Sequence, residues 1–384
     1  MSKIFFLTEC DPDLKTGGAI IRRGTIDNLR RLGFQVVVVK PGAVSSQVDS
    51  QTYTISGFAT TKMYYAMEAL GLVADKYFLW SHNVYNYLKN IINKDDIIFA
   101  TTGGALSAVI AGVRLKKKTG AKLLVNYHDP TDFTSLGNGF SRHSRFYHVN
   151  RDGIEKKLIP YMDYIVTSSE AYKEVLLSKY PAIKSRIECN YFGYIKSSNF
   201  IKNRYNKVPD TINIVYGGNM GPTQAPEILA EAVVGLDKVK ATFIGNYKAN
   251  SRLLDFRNAP NIQFVEQLSI DEYFKYCCEY ADIGFFSLRN NLTNYCVPSK
   301  LFDYINVGLP MVAVVGGDAR SIIIDNHYGL VSNDSPSELQ SIILKLAENG
   351  TFVSCQNNVI NDRNIWSMTY RIEQLKEILN KLMV

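Results

Sequence analysis

The sequence predicts an α/β protein built from two Rossmann-like, doubly wound domains that face a cleft. Its 384 residues exceed what one hydrophobic core usually supports, which favours two domains. Short apolar runs alternate with helical patterns, as in parallel sheets covered by helices. The alternation stops at the polar stretch 197–210 and then restarts. We therefore place the division of the chain in that stretch.

The first domain is predicted to span residues 1–196. Its expected strands are Lys3–Leu7, Gln35–Val39, Ile97–Ala100, Lys122–Asn126 and Tyr164–Ser168. Its expected helices are 19–32, 106–118 and 170–179.

The second domain is predicted to span residues 211–365. Its expected strands are Ile212–Tyr216, Ala241–Ile244, Ile262–Val265, Ile283–Ser287 and Met311–Val315, with helices at 227–234, 271–280 and 300–307. A last helix, predicted at 366–384, is long enough to pack back on the first domain.

Composition narrows the class of protein. The chain is 46% apolar and 21% charged, and no run approaches the roughly 18 apolar residues that span a bilayer. The beginning of the sequence lacks the apolar region of a secretory signal, so we expect a cytoplasmic protein. The six cysteines lack CxxC spacing, which argues against a disulfide framework and a zinc site.

Positive charge is concentrated in the first half. Residues 1–200 hold 26 Lys and Arg against 17 Asp and Glu, whereas residues 201–384 hold 17 against 19. A basic half suits an anionic partner, either nucleic acid or a membrane surface; the alternative is an ordinary solvated surface. Residues 58–92 intersperse aromatic side chains with lysines, which is typical of an interfacial surface or of helical core faces. We expect a peripheral association with the membrane and no nucleic-acid partner.

Glycine-rich turns follow several predicted strands. Gly17-Gly18, Gly103-Gly104 and the segment Gly217-Gly218-Asn219-Met220-Gly221 come where ligands bind open α/β sheets, at the carboxyl ends of strands. Each pair of glycines is equally compatible with a tight turn. The last segment lacks GxGxxG spacing, so a mononucleotide diphosphate fits better than a dinucleotide.

The segment from Pro298 to Tyr304 is a second candidate for anion binding. It reads as a turn entering a helix, with the Ser299 hydroxyl and the Lys300 ammonium at its first turn. Asp303 shares the face of Lys300 and could accept the ribose hydroxyls. The alternative is a Lys–Asp ion pair on the surface.

These segments resemble family 4 of the glycosyltransferases, which are GT-B enzymes. The resemblance is carried by residues 217–221 with Gln224 and the helix 227–232, and by Pro298-Ser299-Lys300-Leu301-Phe302-Asp303-Tyr304 running to 308–312. It extends to Gly17-Gly18 and to the Trp366 helix, nearly the whole chain. The sequence departs from the family pattern in two places. Tyr295 stands for the first of two acids, and Pro222, Thr223 and Gln224 replace the Arg and Lys that hold the diphosphate.

The resemblance implies a metal-independent, retaining transferase whose C-terminal domain binds the sugar nucleotide. Gly17, Gly18, Gly218, Asn219, Gln224, Pro298, Ser299, Lys300 and Asp303 would bind the nucleotide sugar. It also implies that Lys300 replaces the missing cation. No further cofactor is expected.

His128 and Asp129 follow an apolar strand, so we expect them at the ligand edge of the first sheet. The resemblance would put His128 near the donor sugar, and His128, Asp129 and Lys300 are the predicted catalytic residues. The alternative for Asp129-Pro130 is a turn. Asp11-Pro12-Asp13 spells the Asp-x-Asp pattern of metal-dependent transferases but is interpreted as a turn, and no metal site is predicted.

The predicted function is transfer of a hexose, of galactose type, from a UDP-sugar to a lipid-linked oligosaccharide in O-antigen or capsule synthesis. The acceptor would lie at the inner face of the plasma membrane. Two alternatives stay open: a UDP-sugar epimerase of the same architecture, and a catalytically degenerate partner subunit that binds nucleotide.

Overall fold

A computed structural model describes residues 2–14, 16–57, 62–131, 145–195, 200–289 and 294–383. The chain forms two compact units. Unit 1 comprises Met1–Tyr191 with Arg371–Val384, and unit 2 comprises Phe192–Tyr370. Each unit is an α/β sandwich around a largely parallel sheet, so the predicted fold class is confirmed.

Unit 1 has an eight-stranded sheet in the order β3-β4-β2-β1-β5-β6-β7-β8. Its strands are β1 (Lys3–Thr8), β2 (Gln35–Pro41), β3 (Ser46–Asp49), β4 (Thr52–Ile55), β5 (Ile97–Gly103), β6 (Lys122–Asp129), β7 (Tyr164–Thr167) and β8 (Ile187–Cys189). The pair β3–β4 is antiparallel and the other pairs are parallel. The helices are α1 (Gly17–Arg31), α2 (Lys62–Ala69), α3 (Phe78–Leu88), α4 (Ser107–Thr119), α5 (Arg145–Leu158), α6 (Glu170–Lys179) and α14 (Met368–Met383).

The central strand of unit 1 shows why the sequence forms a covered parallel sheet. Ile4, Phe5, Phe6 and Leu7 are each at most 2% exposed, so both faces of β1 are buried. A strand buried on both faces reads as a continuous apolar run, not as an alternation. β1 pairs with β2 on one side and β5 on the other, and this reversal of strand order creates a ligand-binding crevice at the carboxyl ends.

Unit 2 has a six-stranded sheet in the order β11-β10-β9-β12-β13-β14, which is the Rossmann order 3-2-1-4-5-6. Its strands are β9 (Ile212–Gly217), β10 (Val239–Ile244), β11 (Ile262–Val265), β12 (Ile283–Ser287), β13 (Met311–Val314) and β14 (Gly329–Val331). Its helices are α7 (Glu227–Val233), α8 (Ser251–Leu254), α9 (Ile270–Tyr280), α10 (Ser299–Val307), α11 (Gly317–Asp325), α12 (Pro336–Leu346) and α13 (Asn349–Asp362).

The predicted last helix begins too early in the sequence. Trp366 lies in a short 3₁₀ turn, Arg363–Trp366, and α14 starts at Met368. The Trp366 indole N–H donates to the Tyr328 hydroxyl at 2.8 Å, and its ring lies 5.7 Å from that of Phe302. Trp366 is therefore a core residue of unit 2, and the helix that joins unit 1 starts after it.

The described part of the predicted linker packs on unit 2. The backbone N–H of Lys202 donates to the Val307 carbonyl, and that of Tyr205 donates to the Gln356 side chain, both at 2.8 Å. Residues 196–199 lie outside the described ranges.

The aromatic stretch 58–92 divides between core and surface within its described part. Trp80 is fully buried, whereas Leu70, Leu72 and Phe78 are exposed. Across the described ranges, no helix combines the length and the apolar character needed to traverse a bilayer.

Candidate active site

In unit 2 the strand order reverses between β9 and β12, and the glycine turn follows β9. Gly218 has φ +105°, a conformation that favours glycine. Its N–H donates to the Ile244 carbonyl at 2.9 Å, so the turn is held against the end of β10. A Cβ on Gly217 would lie 2.3 Å from the Tyr273 ring, so close packing requires the preceding glycine as well.

Lys300 lies beside this turn, as the sequence predicts for a shared anion site. A Cβ built on Gly218 would be 3.5 Å from the Lys300 Nζ, and that Nζ lies 5.0 Å from the centroid of the buried Tyr216 ring. Burial lowers the pKa of Lys300 to about 8, against the opposing effect of the Asp303 charge. The ammonium is therefore poorly compensated inside the protein, and an anionic ligand would supply the missing countercharge.

Asp303 lies one turn further along α10. Burial raises the pKa of its carboxyl group to about 7, although the Lys300 charge acts in the other direction. In the described part of the chain no ion pair within 4.0 Å joins the two side chains, so the interpretation of a surface Lys–Asp pair is wrong. The Lys300 ammonium and the Asp303 carboxyl group can therefore contact different parts of one ligand.

Helix α10 begins directly after Pro298, its N-terminal capping residue. Ser299 and Lys300 occupy its first turn, where backbone N–H groups lack partners within the helix. Ser299 is exposed. The start of α10 thus offers a hydroxyl, an ammonium and oriented N–H groups, the set that binds phosphate in proteins.

Asn219 and Gln224 are brought together by the glycine turn. A Cβ on Gly221 would lie 3.1 Å from the Gln224 Oε1 and 3.7 Å from the Asn219 Oδ1. The Tyr216 hydroxyl donates to the Asn219 carbonyl, and the Ser287 hydroxyl at the end of β12 donates to the Gln224 carbonyl. The turn therefore extends from β9 to β12, across the point where the strand order reverses.

Sequence reasoning missed a second cation at this edge, Arg289. It lies two residues after the end of β12, and its N–H donates to the Thr223 carbonyl at 2.8 Å. Its guanidinium pairs with Glu227 at 3.3 Å and with Asp334 at 2.8 Å. A charged residue two positions after a buried strand was the available signal, by the same rule that located His128.

In unit 1 the glycine pair lies inside the helix and not before it. Gly17 and Gly18 form the first turn of α1, which the Thr16 hydroxyl caps by accepting the Ala19 N–H at 3.4 Å. The predicted helix start at Ala19 is wrong by two residues. The correction leaves Gly17 and Gly18 at an N-terminus, where helices bind anions.

Arg22, which the sequence analysis did not select, connects the strand ends of unit 1. It is 5% exposed, and its Nη1 donates to the Gly18 carbonyl at 3.0 Å. A Cβ on Gly103 would lie 3.0 Å from the Arg22 Nη2 and 3.6 Å from the Asp129 Oδ2. The spacing of Gly18 and Arg22, one helical turn apart, was the only sequence signal for this contact.

His128 and Asp129 are the last residues of β6, so both lie at the carboxyl end of that strand. His128 is 6% exposed. Burial, and then the Arg22 charge, hold the pKa of His128 well below its usual range, so its imidazole is neutral at pH 7. The His128 carbonyl accepts the Ser168 hydroxyl at 2.5 Å.

Asp11 and Asp13 form a turn, as predicted. The Asp13 N–H donates to the Asp11 Oδ1 at 2.9 Å, and Lys40 forms ion pairs with both carboxylates. Over the described residues, no group of three or more His, Cys, Asp or Glu side chains is placed to hold a metal ion. None of the six cysteines, all of them described, forms a disulfide bond.

Comparison with known proteins agrees with this architecture. The structure of sucrose-phosphate synthase from Thermosynechococcus elongatus has a TM-score of 0.72 at 13% identity, over 100% of this chain and 99% of that one. HepE from Anabaena, solved with UDP and glucose, has a TM-score of 0.71 at 13% identity, over 99% of this chain and 100% of HepE. The lipopolysaccharide outer core galactosyltransferase WaaB has a TM-score of 0.67 at 12% identity, over 99% and 100%. No curated protein sequence matches significantly.

The two parallel-sheet units and these structures define the GT-B fold. Residues 23–193 match the model of Glycosyltransferase Family 4, so the resemblance predicted from the sequence is confirmed. The matched segment contains Gly103, His128 and Asp129. It does not contain the turn at Gly218 or Lys300, so the roles of those residues depend on the geometry described above.

Proposed function

We propose that this protein is a glycosyltransferase that moves a hexose, of galactose type, from a UDP-sugar to a lipid-linked oligosaccharide, with retention of the anomeric configuration. The observation that carries the donor assignment is the Lys300 ammonium beside Gly218 at the strand reversal of unit 2. Two similar structures support the choice of donor and pathway. HepE is solved with UDP-glucose, and WaaB is a lipopolysaccharide galactosyltransferase.

In this proposal the diphosphate binds at the start of α10. Lys300 and the N–H groups of the first turn stabilise the negative charge that grows as the sugar–oxygen bond breaks. The acceptor hydroxyl oxygen bonds to the anomeric carbon on the same face, and its proton passes to the departing diphosphate. Because these groups supply the positive charge, the proposal requires no metal ion.

The remaining residues of unit 2 orient the donor. Asp303 accepts the ribose hydroxyls, whereas Asn219 and Gln224 contact the phosphates or the sugar with their amide groups. The Gly218 N–H is already used by Ile244, so the turn contributes later N–H groups.

In unit 1, His128 and Asp129 are assigned to the transferred sugar. A neutral imidazole can donate to or accept from a sugar hydroxyl, and the Asp129 carboxylate would stabilise positive charge at the anomeric carbon. In this proposal Arg22, which donates to the Gly18 carbonyl and lies beside Gly103 near Asp129, is a positioning residue for Asp129.

Association with the inner membrane face is the last part of the proposal. The first 200 residues carry nine more basic than acidic side chains, and Leu70, Leu72 and Phe78 are exposed near Lys76. Apolar side chains beside lysines suit an anionic bilayer surface.

The test of the donor site is Lys300→Met, with Lys345→Met as the matched control, because Lys345 is an exposed lysine of α12 in the same unit. We expect the turnover of Lys300→Met with UDP-galactose or UDP-glucose and a lipid-linked oligosaccharide to fall by about 100-fold or more, the size typical of lost transition-state charge stabilisation. The control should match the unchanged protein.

A rate for Lys300→Met equal to that of the control would reject the leaving-group role. Conversion of UDP-glucose to UDP-galactose without acceptor would identify an epimerase instead. Addition of EDTA should leave the rate of the unchanged protein as it is.

A further inference from the structure

Unit 2 contains a cavity of about 610 Å³ at the edge of the sheet opposite the glycine turn. Thr211, Lys240 and Asp282 line it, and each lies at or beside the amino end of a strand: β9, β10 and β12. Since the strands are parallel and β9 has six residues, the cavity and Gly218 are separated by about 20 Å. The cavity is therefore distinct from the proposed donor site.

The floor of the cavity is a buried Lys–Asp pair. Lys202 and Asp282 are 8% and 4% exposed, and the Lys202 Nζ lies 3.8 Å from the Asp282 Oδ1. Asp282 is fully hydrogen-bonded: Oδ1 accepts the Tyr205 hydroxyl, and Oδ2 accepts the Asn213 N–H at 2.9 Å and the Asn213 side-chain amide at 3.1 Å.

Lys202 has fewer polar contacts than its partner Asp282. Within the described ranges its Nζ approaches Asp282 only to 3.8 Å, and it is not among the buried side-chain atoms that lack a partner, so it remains open to the cavity. Burial lowers the pKa of Lys202 despite the nearby Asp282 charge. A cavity-lining ammonium in this state would gain from a ligand oxygen that accepts its protons.

The walls combine aromatic rings with polar side chains. The rings of Tyr276 and Tyr280 lie 5.0 Å apart, and Tyr280 is 57% exposed. The Tyr276 hydroxyl donates to the Thr242 hydroxyl at 3.3 Å. Gln263 is an exposed side chain on the same wall. Tyrosine offers an apolar face and a polar end to one ligand.

The charges of the lining select the ligand class. Lys202 and Lys240 are balanced by Glu279 and Asp282, so the cavity has no excess of either sign, and a phosphate or carboxylate would find no net attraction. A volume of about 610 Å³ falls within the usual range of small-molecule sites, about 300–1,000 Å³.

We propose that this cavity binds a neutral hexose, free or as a residue of a glycan, at a second site separate from the donor site. Sugar hydroxyls both donate and accept, so they match the Lys202 ammonium and the Glu279 carboxylate at once. The C–H face of a pyranose ring packs on the exposed Tyr280 ring. Neither a bare aromatic ligand nor an anion uses all of these groups together.

The test is saturation-transfer NMR on the full chain with saturating UDP present, so that the donor site is occupied. The probes are D-glucose and D-galactose, with their methyl α-glycosides standing for residues within a glycan. We expect a signal from at least one probe. A response to the methyl glycosides indicates a glycan residue, and a response to the free sugars alone indicates a free hexose.

Two variants locate the signal. Tyr280→Ala should weaken binding about fivefold, a typical loss for a removed aromatic contact, and Lys202→Met should weaken it at least as much. Tyr370→Ala, at a 40% exposed tyrosine of unit 2 outside the cavity lining, is the matched control and should bind as the unchanged protein does. Because Tyr280 is exposed, its variant remains informative even where Lys202→Met does not fold.

Three results would overturn the proposal: no signal from any probe, a signal that Tyr280→Ala and Lys202→Met leave unchanged, or tighter binding of glucose 6-phosphate or glucuronate than of the neutral sugars. UDP binding is measured in the same samples. A failure of the second site is thereby distinguished from a failure of the donor site.

Discussion

At the scale of single residues, Lys300 and Asp303 have pKa values shifted towards each other by burial, to about 8 and about 7. Below about pH 7 Asp303 loses the charge that accepts ribose hydroxyls. Above about pH 8 the free protein loses the Lys300 ammonium. We expect UDP affinity, measured by calorimetry from pH 5.5 to 9.5, to be highest between about pH 7 and 8.

Lys300→Arg tests whether Lys300 causes the loss of UDP affinity that we expect above about pH 8. A guanidinium stays charged above pH 12, so affinity should no longer decline above pH 8. A decline identical to that of the unchanged protein would assign it to another group.

The lowered pKa of Lys300 also affects the unfolding free energy of the protein. Because the folded pKa of Lys300 lies below its unfolded value of 10.5, the unfolded chain binds more protons between about pH 8 and 10.5, and stability rises with pH across that window. Lys300 therefore costs stability at pH 7. The expected inactivity of Lys300→Met should not come from unfolding.

Gly218 provides a prediction with a close control. Gly218→Ala introduces a side chain at φ +105°, and its Cβ would lie 3.4 Å from the Lys300 Cε. Gly235→Ala carries the same kind of strain at φ +81° but has no neighbour within 4 Å. Both should lose about 1–3 kcal/mol of unfolding free energy, and only Gly218→Ala should also lose UDP affinity. Equal affinity in the two variants would show that Lys300 does not need the space beside Gly218.

At the scale of elements, the beginning of α4 is held by a carboxylate distant in sequence. The Asp75 carboxylate accepts the Leu106 N–H at 2.7 Å, the Ser107 N–H at 3.0 Å and the Ser107 hydroxyl. Asp75 is 1% exposed. Asp75→Ala would leave buried donors without acceptors, so we expect a loss of about 2–4 kcal/mol in urea unfolding.

Asp27→Ala, at an exposed position of α1, is the control and should change stability by less than about 0.5 kcal/mol. Asp75→Asn keeps an acceptor oxygen and should lose less than Asp75→Ala. Equal unfolding free energies for Asp75→Ala, Asp75→Asn and Asp27→Ala would mean that water replaces the Asp75 carboxylate at the start of α4.

At the scale of the whole molecule, the end of the chain completes the unit formed by its beginning. Residues 371–384 belong to unit 1, and Ile372, Leu375, Ile378 and Leu379 of α14 are each at most 4% exposed. These positions recur at helical spacing, so α14 buries one apolar face.

Leu379→Ala measures the contribution of that face. Leu379 is fully buried, and we expect its truncation to lower the unfolding free energy by about 2–5 kcal/mol. Leu344→Ala, at a 50% exposed leucine of α12, makes the same chemical change on the surface and should have little effect. A similar loss in both variants would show that α14 contributes no more than a surface helix.

The sequence predicted the strands that are buried on both faces, because such strands are continuous apolar runs. β1, β6 and β9 were found in this way, and β7 and α6 were placed within one residue of their bounds. Strands with exposed or short patterns were missed. β3 and β4 are four residues each and partly exposed, so their pairing depends on tertiary contact and not on periodicity.

The sequence by itself determined the two-unit α/β architecture and the glycine turn at Gly218. These features depend on local pattern, since apolar runs select strands, and a strand followed by glycines and a helix places its ligand at one edge. Only the tertiary structure decided that Arg22 joins Gly18 to the end of β5, and that Lys202 and Asp282 form the floor of a cavity. Those contacts join residues from distant segments, and no local propensity records which distant side chains folding will bring together.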